Sequence, residues 1–271
     1  MKAEHLLRYP GGKQRAVERI LPYIPESTTV LHSPFFGGGS IEFEWLARNP
    51  HGVVVGRDVF EPIVTFWRAV FSGHAEQVAD EVQKYFPISK ALFAALQEKL
   101  RSGEGSAIER AAWFYVINRS SFSGSTLSGG MGDGDRFTQS SIDRLRRFKH
   151  AGRIDYKSGD CFDGMRRRIS RYLTPGACMY ADPPYWLESS KLYGDKGSTH
   201  DSFNHKRFAQ MVRNLSDQGA EIVVSYNDCQ AVRDLYPESA GFGLDPKQWK
   251  YGMSSDKTGR ELIILSKALA S

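Results

Sequence analysis

The chain has 271 residues, 41% hydrophobic, 25% charged and 12% aromatic, a balance that excludes disordered, collagen-like and coiled-coil proteins. Three widely spaced cysteines, Cys161, Cys178 and Cys229, form neither a disulfide framework nor a zinc-ligand cluster, and neither the start MKAEHLLRYPGG nor any later run is apolar enough for a signal peptide or a membrane span, so a soluble, cytoplasmic, metal-free protein is expected. The net charge of +5 is concentrated: residues 143–173 hold ten Lys/Arg against four Asp/Glu, leaving 26 against 27 elsewhere, which marks either a polyanion footprint or a solvated helix face.

From residue 28 onward, short apolar runs alternate with amphipathic stretches, the pattern of an α/β sheet with helical crossovers. Thr29 to His32 is a short strand, Ile41 to Arg48 an amphipathic helix, and GVVVGRD a second strand ending at Asp58. Residues 75–150 break the rhythm. Leu92, Leu96 and Leu100 share one helix face and a second apolar helix runs from Ile108 to Ile117, so this stretch is read as a helical insert. The segment SSFSGSTLSGGMGDGD that follows is too rich in Gly and Ser to hold regular structure without a partner, and is expected to be a functional or disordered loop. Further strands are predicted at Arg153 to Lys157, Ala177 to Ala181, Glu221 to Tyr226 and Glu261 to Leu265, with helices at Phe162 to Leu173 and Phe203 to Asp217.

Two constellations carry chemistry. Between the first strand and its helix stands Ser33-Pro34-Phe35-Phe36-Gly37-Gly38-Gly39-Ser40, where glycines allow a tight turn and close approach of a ligand to the main chain. Asp58 closes the next strand, where a carboxylate can accept from both hydroxyls of a ribose; together they have the logic of a nucleoside cofactor site, although such a turn also serves packing alone. The second constellation is Asp182-Pro183-Pro184-Tyr185 directly after the apolar strand ACMYA, a string expected by chance on the order of once in a thousand chains of this length. The prolines leave carbonyls free to accept. A carboxylate, carbonyls and an aromatic face at a strand's carboxyl end suit the exocyclic amine of a planar base: Asp182 and the Pro183 carbonyl take the amine's two protons, and Tyr185 stacks on the ring.

With these motifs the sequence resembles the Dam-type, α-group DNA adenine methyltransferases. Arg8-Tyr9-Pro10-Gly11-Gly12-Lys13 is similar to that family's amino-terminal motif, PFFGGGS to its cofactor loop, Asp58 to its ribose-binding acid and DPPY to its catalytic motif. The resemblance implies a Rossmann-like class I methyltransferase sheet, S-adenosyl-L-methionine as cofactor, and methyl transfer to the N6 amine of an adenine flipped out of DNA. It implies that residues 1–74 and 151–271 form a discontinuous catalytic domain, and that 75–150 form a target-recognition insert whose loop spans 120–135. By position it implies that Tyr9, Lys13, Pro34, Phe35, Gly37, Gly38, Gly39 and Asp58 line the cofactor, with Lys13 reaching cofactor or adenine. It places Asp160, Cys161 and Phe162 around the cofactor's adenine, and Asp182 against both substrates, with Pro183, Pro184 and Tyr185 completing the catalytic turn.

The insert implies DNA contacts from Asn118, Arg119, Phe122, Ser123 and Leu127. Leu127 stands where the family's GATC enzymes carry a guanine-reading arginine, and a leucine cannot contact O6 and N7, so that route to GATC specificity is not expected. Phe122 is able to wedge into a base stack. Ser225 to Asp228 and Arg260 to Ile264 resemble late segments that end the sheet, Asn227 being a secondary active-site candidate. His200 and His205 are DNA-contact or loop candidates; without a third ligand they make no metal site. The expected protein is a monomer or weak dimer acting on duplex DNA, with or without a restriction partner. Two other readings remain open: N4-cytosine methylation, and a DNA-binding protein that keeps the fold without turnover. None of the cysteines follows a proline, as a C5-cytosine nucleophile typically does.

Overall fold

The computed structural model describes residues 5–9, 11–133, 135–149, 152–167, 169–186, 203–250 and 258–270. Pro10 and His200 lie outside them. Strands β1 (Val30–Ser33), β2 (Val53–Asp58), β3 (Ile154–Ser158), β4 (Ala177–Ala181), β5 (Glu221–Asn227), β6 (Gly243–Lys250) and β7 (Thr258–Leu265) form one sheet in the order β3-β2-β1-β4-β5-β7-β6. The pairs from β3 through β5 are parallel, and β7 runs antiparallel to both β5 and β6. This is the Rossmann-like methyltransferase sheet that the sequence implied. Strand order reverses between β1 and β4, which pair through Val30 and Ala177, so the crevice at their carboxyl ends is the topological switch point where such sheets bind ligands.

All five residues of β4 are buried, as expected of a central parallel strand covered on both faces. Alternation assigns the two faces. Leu31, Val54, Cys178, Tyr180, Val223 and Ile263 enter one core, whereas Met179, Ala181, Ile222, Val224, Leu262 and Ile264 enter the other. Helices follow as α1 (Val17–Ile20), α2 (Ser40–Arg48), α3 (Glu61–Ala69), α4 (Ala75–Gln83), α5 (Lys90–Ser102), α6 (Ala107–Ser120), α7 (Gln139–Arg147), α8 (Cys161–Arg167), α9 (His205–Asp217), α10 (Gln230–Leu235) and α11 (Lys267–Ala270). None of the described helices is long and apolar enough to cross a membrane.

The helices of 75–150 have no core of their own. Val78, Phe93, Leu96, Trp113, Phe114, Ile142 and Leu145 belong to the same apolar cluster as Leu31 and Val54 of the sheet. Helix α6 is buried without a break from Ala111 to Asn118, the behaviour of a helix apolar all round. Its start is fixed by a reciprocal capping box between Ser106 and Glu109.

Three expectations are corrected. The single helix expected from Phe162 to Leu173 is divided into α8 and a 3₁₀ turn, Ile169–Leu173. Strand β6 was not foreseen because Pro246 interrupts its sequence; β6 is the edge strand, where proline is tolerated. The Gly/Ser segment forms two 3₁₀ turns, Phe122–Gly124 and Thr126–Ser128, and a bridge from Ser121 to Met131. Its partner is α5: Gln97 Nε2 donates to the Thr126 and Gly129 carbonyls at 2.7 and 2.9 Å, and Arg101 donates to the Leu127 carbonyl at 3.0 Å.

Trp67 links this packing to the crevice. It is fully buried, stacks on Phe71 with the rings 7° from parallel, and donates from Nε1 to the Gly37 carbonyl at 2.8 Å. Trp67→Ala is expected to destabilise the protein by about 3–5 kcal/mol through lost apolar contact and a cavity. Trp67→Phe, which loses chiefly the hydrogen bond, should cost about 1–3 kcal/mol, and the two denaturation midpoints measure the difference.

Candidate active site

At the carboxyl ends of β1, β2 and β4 the chain encloses one cavity whose wall includes Tyr9, Lys13, Pro34, Phe35, Gly37, Gly38, Gly39, Asp58, Asp160, Cys161, Phe162, Asp182, Pro183 and Pro184. The structure therefore brings together the residues expected around a cofactor and three of the four in the catalytic turn. Glu42, Tyr180 and Phe203 also line it.

The glycine loop is shaped by a ring. Gly37 has φ +49°, and a Cβ built there would lie 2.8 Å from Tyr9 Cε1, so any side chain would both strain the backbone and displace the tyrosine. Gly39, at φ +70°, opens α2 from the left-handed region. The loop is tied to β2 through Asp58, which is 8% exposed. Its Oδ2 accepts from the Gly37 N–H and its Oδ1 from the Phe60 N–H, both at 3.0 Å. Burial pushes the Asp58 carboxyl up, against the pull of these backbone donors. Each oxygen keeps a lone pair for a ligand hydroxyl.

Asp182 meets an ammonium. Lys13 is only 4% exposed, and its Nζ lies 2.7 Å from both Asp182 oxygens and 3.2 Å from the Gly11 carbonyl. Ser225 Oγ, itself 3.0 Å from the Tyr180 hydroxyl, donates to Asp182 Oδ1 at 3.0 Å. Oδ1 is thus filled twice, while Oδ2 has the Lys13 bond.

Tyr185 is packed beside this pair, 8% exposed, with its hydroxyl donating to Glu261 and its ring centroid 4.8 Å from Lys13 Nζ. The next residue is clamped, because Asn227 accepts from the Trp186 N–H at 2.9 Å and donates to its carbonyl at 2.8 Å. Asn227 therefore holds the backbone after the DPPY turn. His205 bonds to the Tyr226 hydroxyl and lies against Trp186 and Phe203.

Two buried carboxyls flank the site. Glu42 accepts from Ser33 Oγ at 2.6 Å, and burial raises it to about 7. Burial raises Glu261 to about 7 as well, opposed by Lys13 and the Tyr185 hydrogen bond. At the far end of the cavity, Asp160 Oδ1 accepts from the Phe162 N–H at 2.8 Å. Phe162 stacks on Phe203 with centroids 5.9 Å apart and carries the Arg207 guanidinium 4.2 Å from its centroid. Burial pushes the Cys161 thiol up, away from thiolate chemistry.

The residues expected to touch DNA divide. Phe122 is 70% exposed, and Ser123 beside it has φ +56°. Asn118 is 1% exposed and holds the Arg8 main chain, accepting from its N–H at 2.9 Å and donating to its carbonyl at 2.6 Å. Arg119 is half-buried and donates to the Arg136 carbonyl at 2.9 Å. Leu127 is 6% exposed in the main core. The expectation for Asn118 and Leu127 is corrected: their side chains are taken up by the fold. The basic stretch is partly consumed too, since Arg146 pairs with Asp80 at 2.9 Å, Arg153 binds the Leu46, Asn49 and Gly52 carbonyls, and Lys157 pairs with Asp155.

Sequence reasoning missed Glu42, Phe203, Ser225 and Glu261 as site residues. Glu42 and Glu261 left a signal, a charge inside the otherwise buried stretches SIEFEW and ELIIL. Phe203 and Ser225 are ordinary core or loop residues by type.

Over 256 residues the chain is 22% identical to the DNA N-6-adenine-methyltransferase of Escherichia phage P1, a match covering 89% of this chain and 32% of that protein. The chain thus spans about a third of the curated relative's length. Residues 9–253, which contain every motif of the cavity wall, match the family described as D12 class N6 adenine-specific DNA methyltransferase. The chain belongs to the D12 class N6 adenine-specific DNA methyltransferase family.

Proposed function

We propose that this protein transfers a methyl group from S-adenosyl-L-methionine to the N6 amine of an adenine rotated out of DNA. The observation that carries the reading is Asp182, set at the exit of β4 in one cavity with the glycine loop and Asp58. The cavity fits the cofactor on its own terms: the glycine loop lies in its wall close against the Tyr9 ring, where added side chains would displace the ring and reshape that wall, and Asp58 is a buried acceptor in the same wall. Tyr9, Gly37 to Gly39 and Asp58 would hold it, with Asp160, Phe162 and Phe203 around a planar ring. When bound it supplies an electrophilic methyl on a sulfonium.

Asp182 Oδ2 and the Pro183 carbonyl accept the two protons of the base's amine, drawing the nitrogen lone pair out of the ring. Lys13 and Ser225 fix the carboxylate before the base arrives, so little reorganisation accompanies the reaction. Catalysis is then mainly positioning and electrostatics, with no covalent enzyme intermediate. Tyr185, expected to stack on the base, is instead buried outside the cavity wall and contributes from behind the pair, through Lys13.

We further propose that residues 75–150 act as the target-recognition insert and that Phe122 is its contact with the base stack. Unstacking the target costs a few kcal/mol, which stacking on Phe122 offsets. DNA is the partner proposed for the protein.

Asp182→Asn is expected to lower methyl transfer to duplex DNA at least about a hundredfold while changing calorimetric donor affinity far less. Nucleoside mass spectrometry of DNA treated with wild type should contain N6-methyladenine; N4-methylcytosine alone would overturn the choice of base. Phe122→Ala should weaken DNA binding by about 1–3 kcal/mol, the worth of one base–aromatic stack, with donor affinity unchanged. Fluorescence anisotropy on a labelled duplex tests this, and undiminished binding would remove Phe122 from the interface.

A further inference from the structure

Glu261 occupies the sheet where an apolar residue would pack. It is 0% exposed and faces Asn227 of β5 and Lys247 of β6 in register. Its Oε2 accepts the Tyr185 hydroxyl; the Tyr185 ring lies against Lys13 Nζ, and that ammonium bonds both oxygens of Asp182. A continuous path therefore joins Glu261 to the acceptor carboxylate. Holding a tyrosine hydroxyl requires only an acceptor, which a glutamine also supplies. A carboxyl adds a charge that can be switched.

We infer that Glu261 is a positioning residue that sets the charge of the Lys13–Asp182 pair, and through it the strength with which Asp182 holds the substrate amine. The inference rests on the methyl-transfer reading. With Glu261 protonated, Lys13 balances Asp182 alone and the trio is neutral. With Glu261 ionised the trio carries one net negative charge, Lys13 is shared between two carboxylates, and Asp182 Oδ2 becomes the stronger acceptor. A negative trio also favours the positive charge that moves from donor sulfur to acceptor nitrogen during transfer.

The groups that bear on Glu261 are Lys13 from the amino-terminal segment, Asp182 and Tyr185 from the turn after β4, Tyr180 of β4 and Lys247 of β6. The Lys247 ammonium is paired with Asp245 at 2.8 Å. Arg260, next in the strand, is exposed. Burial lifts Glu261 and Asp182 adds to the lift, while Lys13 and the Tyr185 hydroxyl oppose it, leaving the carboxyl at about 7. Below that pH it is neutral; above it, ionised and competent.

Single-turnover methyl transfer by the full chain to a duplex oligonucleotide, followed from pH 6 to pH 8, tests the inference. Wild type should accelerate about tenfold across that range, the change in ionised fraction of one group titrating near 7. Glu261→Gln should lose the acceleration and fall below the wild-type rate at pH 6, since it never carries the ionised fraction on which that rate depends. Tyr185→Phe, which removes a hydrogen bond that favours the carboxylate, should move the midpoint upward whatever its rate. Infrared difference spectra of donor-free protein between the two pH values supply a readout independent of turnover: part of the protonated-carboxyl band should vanish in Glu261→Gln, the remainder belonging to the other buried carboxyls, Glu42 and Asp58. A Glu261→Gln enzyme that keeps the acceleration, or one slowed equally at every pH, overturns the inference. Absence of any transfer by wild type defeats the methyl-transfer reading instead, and the infrared band then decides whether Glu261 titrates as inferred; an unchanged band overturns it.

Discussion

A buried lysine near the amino terminus and a half-buried aspartate 169 residues later share one ion pair, and the geometry of the crevice depends on it. A buried ammonium is tolerated only when paired and hydrogen-bonded, and removing one partner leaves the other uncompensated. Lys13 satisfies that condition with Asp182 and the Gly11 carbonyl. The segment carrying it is fixed at two further points: the Tyr9 ring lies on the glycine loop, and Asn118 of α6 bonds both polar groups of the Arg8 main chain. One short strap thus joins the helical layer, the glycine loop and the acceptor carboxylate. A shift in any of the three is felt by the others because the interior between them is close-packed.

The remaining polar groups obey the same constraint in graded form. Ser225 is wholly buried and is satisfied by Tyr180 and Asp182; Asn227 spends both ends of its amide on the Trp186 backbone. Glu42 and Glu261 are different, since each is a carboxyl lifted to about 7 by burial. A carboxyl raised in the folded state binds its proton more tightly there than in the unfolded chain. Each therefore favours the folded state most fully at low pH, and that advantage is lost as pH rises from the ordinary glutamate range to about 7. At neutral pH the fold carries two acids that work against it, beside the residues that form its cavity. Such local opposition to stability is where function concentrates.

What was legible in the sequence is what short stretches of chain decide. The five apolar residues before Asp182 can only be a strand covered on both faces, three consecutive glycines before a helix can only be a tight turn, and Asp58 at the end of β2 follows from the strand before it. The family's motifs then supplied the pairing of these pieces, which lie far apart in the chain. The illegible parts are those in which a distant partner decides. Nothing near Leu127 says that α5 grips its carbonyl and that its side chain joins the core. Nothing near Pro246 says that β7 will insert between β5 and β6, leaving β6 at the edge where a missing N–H is harmless. Glu261 reads as a strand-end charge until the fold sets Tyr185 against it.

The 120–135 segment joins these themes. By composition it is a flexible linker, and a flexible linker would have to be ordered when it met a partner, at a cost in affinity. In the fold that cost is met in advance. Gln97 and Arg101 hold its carbonyls, Ser121 Oγ accepts from the Thr126 N–H at 3.1 Å, and Thr126 and Leu127 are buried beneath it. Ser123 and Thr126 are nonetheless kept at positive φ, +56° and +50°, conformations costing about 1–3 kcal/mol each. Between these two strained residues and the buried Ser121 the chain leaves Phe122 outward, at 70% the most exposed large apolar side chain among the described residues. A rigid base that stores strain in order to present one aromatic ring to solvent has no benefit for the isolated fold. It has one if the ring must enter a narrow site in a fixed orientation, as the proposed wedge between stacked bases requires.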